Sequence, residues 1–426
     1  MRAVELFAGA GGLALGATLA GFEPLAVVEW DRWACDTIRE NRKRSHPLVS
    51  LWPEPHEGDV REFDWSAVPT DIDLLAGGPP CQPFSMGGKH RAHNDNRDMF
   101  PATVEILRRL QPKAFLIENV KGLTRSSFHN YFRYIQLQLE FPFLPRRPKE
   151  DWEAHYSELQ KTHSKGVAHG RELTYRLAPP HLVNAANYGI PQRRERVFMV
   201  GFRYDLETTW SVPEETHSYE ALLYEQFVTG EYWDRVGVAK RSRPAPSVQV
   251  AAMLPRLRQE SFLSKRLKPW RTVREALLDL PNPEKRSKTA SETFINHHFQ
   301  PGARSYLGHT GSPLDLPAKT LKAGAHGVPG GENMMVKDDG SCRYFTVRES
   351  ARIQTFPDAY IFHGAWSEVM RQLGNAVPVE LARQMASSVA IQLVEAQLRN
   401  MGLSSVEAVR RSIEERARPQ IAGLQA

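Results

Sequence analysis

The sequence predicts an α/β fold, a doubly wound and mostly parallel sheet, and three observations predict it. Short apolar runs at residues 3–6, 25–28, 72–76 and 114–117 alternate with helix-like stretches such as 13–20 and 100–110. A glycine turn, Phe7-Ala8-Gly9-Ala10-Gly11-Gly12, joins the first run to the first helix. Three of the runs lead into a residue able to do chemistry: Glu29, Cys81 and Glu118. In open α/β sheets the carboxyl ends of the strands border the ligand crevice, so this repetition predicts one shared cleft.

Length and composition set the frame. The chain has 426 residues, enough for two or three domains and a large core. Hydrophobic residues make up 41% and charged residues 24%, a globular balance. Residues 6–22 carry no charge, but the run is shorter than the ~20 residues a membrane span needs. Glu5 precedes it, and glycines recur at 9, 11, 12, 16 and 21, so no targeting or transmembrane segment is read. The cysteines are Cys35, Cys81 and Cys342, none in a C-x-x-C pair. Neither a disulfide framework nor a zinc site is expected, and a reducing cytoplasm fits.

Each element then has its reason. The glycines of the first turn let backbone N–H groups approach a ligand at a helix N-terminus. Glu29 lies 20 residues after Gly9, at the tip of the second strand, where an acid can accept from ribose hydroxyls. Trp30 beside it offers a flat face to an adenine ring. Gly9-x-Gly11-x-x-Ala14 also fits the dinucleotide fingerprint, so the turn alone admits NAD.

After the third run comes Gly77-Gly78-Pro79-Pro80-Cys81-Gln82-Pro83-Phe84-Ser85. Two glycines and three prolines forbid a regular element and give a stiff loop, a frame that packing a small thiol into a core does not need. A thiol held at a strand's carboxyl end suits a nucleophile, provided its pKa is lowered from ~8.5. Residues 86–98 are too polar for a core and read as a mobile segment. The fourth run ends in Glu118-Asn119-Val120. Residues 146–171 read as a polar surface insertion.

Gln192-Arg193-Arg194-Glu195-Arg196 stands just before another apolar strand, 197–201. Arginines there are expensive unless they meet an anion or a carboxylate. From 202 to 344 the rhythm is lost and proline and glycine are frequent. Trp210, Trp233, Trp270 and Tyr306 lie among basic residues. Between Lys240 and Lys288 there are 13 Lys/Arg against 4 Asp/Glu, an excess larger than the +6 of the whole chain. A localised basic segment points to a polyanion. Residues 346–354 and 379–399 read as helices, with Pro378 suited to the first turn of the second. The charged tail from 403 onward is expected to fray.

Pro79-Pro80-Cys81-Gln82-Pro83-Phe84-Ser85, Glu118-Asn119-Val120 and Gln192-x-Arg194-x-Arg196, in that order, resemble the motifs of the cytosine-C5 DNA methyltransferases, bacterial modification type. The resemblance implies the Rossmann-like fold of S-adenosylmethionine-dependent methyltransferases, with 1–202 plus 346–426 as the catalytic and cofactor domain. It makes 203–345 a target recognition domain, with 325–331 as a DNA-facing loop. It implies catalytic roles for Cys81, Glu118, Arg194 and Arg196. It carries cofactor contacts over to Phe7, Ala8, Gly9, Gly11, Gly12 and Leu13 in the glycine turn. Glu29, Trp30, Asp59, Val60 and Pro79 follow along the sheet edge, and Asn375, Ala376 and Val377 near the end of the chain. Ser85, Asn119, Val120 and Gln192 are implied in substrate binding.

The implied reaction moves methyl from S-adenosylmethionine to C5 of a flipped cytosine in a specific duplex sequence, leaving S-adenosylhomocysteine and using no metal. The implied setting is a monomer in the bacterial cytoplasm, associated with the nucleoid through DNA. A restriction endonuclease acting on the same site without direct contact is the implied companion. Other readings are a tRNA cytosine methyltransferase on the same scaffold, an NAD oxidoreductase and a silent DNA-binding protein. The long insert favours duplex DNA over tRNA. The oxidoreductase leaves Cys81 and Arg194 without a task, and the silent binder leaves Cys81 and Glu118 without one.

Overall fold

The computed structural model describes residues 1–80, 98–166, 173–259, 267–285, 294–306, 310–323 and 333–401. The chain divides into two compact units. The first comprises Met1–Val183, Glu195–Pro213 and the residues from Ala382 on; the second comprises Asn184–Arg194 and Glu214–Leu381.

The first unit is built on a mixed sheet. Its strands are β1 (Arg2–Leu6), β2 (Glu23–Glu29), β3 (His56–Glu57), β4 (Leu74–Gly77), β5 (Ala114–Val120), β6 (Tyr175–Leu177), β7 (His181–Asn184) and, beyond the short β8 (Gln192–Arg193), β9 (Glu195–Arg203). Spatial order is β3-β2-β1-β4-β5-β9-β6, with β7 also on β9. β1 to β5 run parallel; β9 is antiparallel to β5 and β6. Parallel strands are covered on both faces, which is why β4 and most of β1 and β5 are unbroken apolar runs.

The helices are α1 (Gly12–Leu19), α2 (Arg32–Lys43), α3 (Phe100–Leu110), α4 (His129–Glu140) and α5 (Trp152–Lys165). α3 buries Phe100, Val104, Leu107 and Leu110, spaced to share one face, against a cluster with Leu6, Leu75, Phe115 and Ile117 of the sheet. Elsewhere α1 meets the helix Val379–Asn400 so closely that a Cβ on Gly16 would lie 2.4 Å from Ala382 Cβ. Only glycine fits at that crossing.

The chain leaves β1 towards β2 and returns to its other side as β4, a topological switch point. Leu6 pairs with Gly77, and Gly77 with Ile117. One sheet edge therefore carries the start of the glycine turn, the exit towards Cys81 and the approach to Glu118.

Within 146–171, expected as a polar surface insertion, the helix α5 instead packs one face inward. Trp152, Tyr156 and Leu159 form a helical stripe among charges; Leu159 is buried, and His155 Nδ1 lies 2.8 Å from Tyr134 Oη. Burial pushes the His155 pKa down.

The second unit is made of short pieces. Its strands are two or three residues long, in sheets of two or three strands. That brevity is why no strand–helix rhythm is visible in this stretch. Its best-defined helix, Val347–Ile353, starts with a capping box in which Thr346 and Glu349 satisfy each other's backbone N–H groups. Among the described residues no helix is long and apolar enough to cross a membrane.

Candidate active site

The glycine turn follows β1 directly. Phe7, Gly9 and Gly11 have φ of 54°, 55° and 87°. Glycine adopts this region freely, whereas Phe7 stores about 1 kcal/mol there. A Cβ built on Gly9 meets nothing within 4 Å, so the turn borders open space. The Gly9 N–H donates to Glu29 Oε2 at 2.7 Å and the Asp31 N–H to Glu29 Oε1 at 2.8 Å. One buried carboxylate thus ties the end of β2 to the turn after β1. Burial pushes the Glu29 pKa up, and the two N–H donors offset part of that. Trp30, next in the chain, is 79% exposed, a bare aromatic face beside the turn's anchor. Val60 is buried in the main core, while Asp59 is engaged by Arg61 Nε at 2.9 and 3.0 Å. The Arg61 guanidinium holds the Asp59 carboxyl below its usual pKa.

The exit of β4 is held just as tightly. A Cβ on Gly77 would lie 2.8 Å from the Leu6 carbonyl, and one on Gly78 would lie 3.1 Å from Glu118 Oε2. Asn119 Nδ2 donates to the Pro79 carbonyl at 3.1 Å. Cys81 and Ser85 lie outside the described residues. The chain leading to the thiol is therefore fastened to Glu118 and Asn119.

Glu118 itself pairs with Arg196, Nε to Oε1 at 2.6 Å, with the two side chains only 9% and 11% exposed. The antiparallel register of β5 and β9, Val120 opposite Arg196, creates this pair. Burial pushes the Arg196 pKa down and Glu118 pushes it back up. Asn119 Oδ1 accepts from the Val120 N–H at 2.8 Å. A close, nearly dry ion pair thus sits beside the last residues before Cys81.

Gln192 and Arg194 belong to the second unit and are fully buried. Arg194 donates to the Leu321 carbonyl at 3.1 Å and to the Gly374 carbonyl at 2.7 Å. Gln192 accepts from the Leu321 N–H and donates to Gln354 Oε1, both at 3.0 Å. Gln354 donates in turn to the Leu373 and Ala376 carbonyls. A Cβ on Gly374 would lie 2.2 Å from the Ala323 amide nitrogen. Together these contacts brace the turn holding Asn375, which is exposed, and Ala376 and Val377, which are buried. Gln354 was not singled out in the sequence; its signal is a glutamine closing an otherwise well-capped helix. Replacing Arg194 with methionine leaves two buried carbonyls without these donors, a cost of about 1–3 kcal/mol each. We expect the thermal unfolding midpoint to fall by several degrees; an unchanged midpoint would contradict the brace.

The structure thus brings Gly9, Glu29 and Trp30 together at one place, and Gly78, Asn119, Glu118 and Arg196 at another along the same sheet edge. Arg194 and Gln192 are held in their own unit by backbone groups. Among the described residues no group of three or more His, Cys, Asp and Glu side chains is placed to hold a metal ion.

Comparison with known proteins covers most of the chain. The family described as C-5 cytosine-specific DNA methylase matches residues 1–141 and 157–390. The Type II methyltransferase M.PspPI of Psychrobacter is 30% identical over 381 residues, spanning 89% of this chain and 76% of its own. M.NgoPII of Neisseria gonorrhoeae, also a Type II methyltransferase, is 29% identical, spanning 90% of this chain and 93% of its own. Among solved structures, the Dnmt2 methyltransferase of S. pombe superposes with a TM-score of 0.50 at 15% identity, covering 93% of this chain and 99% of that one. At that identity the likeness speaks for the fold alone.

Proposed function

From the premise that the chain belongs to the C-5 cytosine-specific DNA methylase family and is a DNA cytosine-5 methyltransferase, we propose that Cys81 attacks a flipped cytosine beside the Glu118–Arg196 pair. The observation that supports this most is the fastening of Gly78 and Pro79, the last steps before Cys81, against Glu118 and Asn119. The domain proposal is that 1–202 with 346–426 carries catalysis and the cofactor, and that 203–345 reads the target sequence.

Cytosine C5 is a poor nucleophile. Addition of the Cys81 thiolate to C6 turns the ring into an enamine and makes C5 reactive, dividing one hard step into two easier ones. Glu118, sharing a proton with ring N3, offsets the charge that develops on the ring. Arg196 polarises the O2 side and keeps the Glu118 carboxylate oriented. Loss of the C5 proton then expels the thiol. Ser85, Asn119 and Val120 are proposed as contacts to the substrate. Gln192 and Arg194 are proposed to act at the target by holding their segment of the second unit in shape.

S-adenosylmethionine, when bound, supplies an electrophilic methyl group. The open space at Gly9, the anchored Glu29 and the bare Trp30 face fit such a group. Phe7, Ala8, Gly11, Gly12 and Leu13 would hold its amino-acid end, and Glu29 its ribose. Trp30, Asp59 and Val60 would hold its base. Pro79, with Asn375, Ala376 and Val377, would complete the site. No step of the proposed chemistry uses a metal.

C5 and C6 are out of reach in a duplex, so the base is flipped at a cost of ~a few kcal/mol. Contacts from the basic insert offset this. Affinity for duplex DNA is expected to fall by on the order of 10³-fold between 50 and 200 mM salt. A flat response would contradict phosphate contacts. The M.PspPI and M.NgoPII relatives are Type II methyltransferases, which supports modification within a restriction–modification pair. A monomer in the bacterial cytoplasm is part of the same proposal. The test is a methyl-transfer assay on duplex DNA and on tRNA, followed by bisulfite sequencing. Label at C5 of cytosine at one DNA site is expected; label on tRNA alone would favour the tRNA enzyme.

A further inference from the structure

The second unit contains a cavity of about 550 Å³ that the proposed chemistry does not use. Two of the residues on its wall are Arg193 and Lys319. They are register partners on the parallel strands β8 and Ala318–Lys319, so they stand side by side on one face of that pair. Their strand neighbours Gln192 and Ala318, also register partners, are fully buried. The alternation turns the buried pair inward and the two cations towards the cavity.

Like charges directly opposite each other on neighbouring strands repel. Among the described residues neither Arg193 nor Lys319 has an acidic partner within ion-pair distance; Lys319 Nζ donates to Thr310 Oγ1 at 2.9 Å. The acids on the same wall are already committed. Asp315 accepts from Arg274 at 2.6 and 3.0 Å and from Tyr232 Oη at 2.7 Å. Asp338 accepts from Arg274 at 3.0 Å. The third cation on the wall, Lys337, is paired with Glu284 at 3.0 Å. The cavity therefore presents two adjacent cations of which neither is spent. One is a planar fork suited to two oxygens of a phosphate, and the other a point charge steered by a hydroxyl.

We propose that Arg193 and Lys319 form a site for a backbone phosphate of the DNA substrate. The inference rests on the DNA-methyltransferase reading above and extends it to a contact that positions the duplex without reading sequence.

The test is anisotropy of a labelled duplex across a salt series, on the full-length protein, for wild type, Arg193→Gln, Lys319→Gln and the double variant. Each single substitution is expected to lower the slope of log K against log salt by about 0.9, and the double by about twice that. At 0.1 M salt each is expected to cost roughly five- to tenfold in affinity, equally on target and non-target duplexes. Arg193→Lys and Lys319→Arg are expected to keep the wild-type slope, which separates lost charge from a damaged fold. Weaker binding with an unchanged slope would overturn the proposal, as would a loss confined to the target duplex. Inorganic phosphate, titrated into the same proteins by calorimetry, distinguishes the other source. Phosphate binding abolished by the Gln variants while the DNA slope stays unchanged would make this a free-anion site and overturn the proposal. Failure of the underlying reading shows separately, as a wild type that binds no duplex at any salt.

Discussion

Cys81→Ser is expected to lower methylation of duplex DNA by on the order of 10³-fold or more, with binding of S-adenosylmethionine kept within about twofold of wild type. The size of the effect follows from the chemistry. Without a thiolate at C6 the ring never becomes an enamine, and C5 keeps its low reactivity towards a sulfonium methyl. Losing the nucleophile removes the whole covalent route, and other active-site groups cannot recover it piecemeal. The unchanged cofactor affinity follows from the fold. Glu29, Trp30 and the glycine turn follow β1 and β2, and the Glu29 carboxylate is held by the Gly9 and Asp31 N–H groups. Single-turnover methyl transfer and equilibrium cofactor titration on the purified variant check both halves. Retained turnover would falsify the assignment of the nucleophile.

Glu118→Gln is expected to lower the rate of methyl transfer by about 10²–10⁴-fold, the range of a positioned acid–base group, with little change in cofactor affinity. The amide keeps the size of the side chain and loses its charge and its proton. The substitution has a second consequence. Arg196 is 11% exposed and faces Glu118 at 2.6 Å, so the variant leaves a nearly buried guanidinium without its carboxylate. Breaking such a pair costs about 3–5 kcal/mol when burial is complete, and somewhat less here. The thermal midpoint therefore drops along with the rate. Measuring the rate per folded molecule well below the thermal midpoint separates the two effects. If Glu118 acts only by stabilising the fold, that rate stays at the wild-type level. If Glu118 acts on the base, it stays low even where the variant is fully folded. A full rate in Glu118→Gln removes the residue from the mechanism.

Much of the first unit was legible because each of its elements obeys a single period. Residues 100–110 repeat apolar side chains at helical spacing, and the helix found is Phe100–Leu110. The parallel strands are apolar without alternation, as burial on both faces requires, and β5 and β9 differ from their expected cores only by added end residues. Glu118 was legible as chemistry because a charged residue at the end of such a run has no packing reason to be there. Its partnership with Arg196 was not legible. That pair arises from the antiparallel register of β5 and β9, and register between strands far apart in sequence leaves no local trace.

Arg194 shows the opposite difficulty. A cluster of three arginines suggests an anion, yet Arg194 is fully buried and spends its donors on the carbonyls of Leu321 and Gly374, residues more than a hundred positions away. Arg196 faces a carboxylate, and Arg193 lies on the wall of a cavity. The three arginines meet three environments: alternation along the extended chain turns Arg193 and Arg194 opposite ways, and Arg194 and Arg196 belong to different units. The α5 insertion was misread for a related reason. Its stripe of Trp152, Tyr156 and Leu159 is embedded in charges that dilute the apolar average, although spacing, not average, decides which face is buried.

The central claim is a covalent bond between Cys81 and a cytosine held beside Glu118 and Arg196. A duplex in which the target cytosine carries fluorine at C5 tests it most directly, because the proton whose loss releases the thiol is then replaced by a group that cannot leave as a cation. With S-adenosylmethionine present, we expect a denaturation-resistant protein–DNA species, with digestion and mass spectrometry assigning the modified peptide to Cys81, and none with Cys81→Ser. A trapped species attached at another residue, or no trapped species from a protein that methylates the unmodified duplex, contradicts the account.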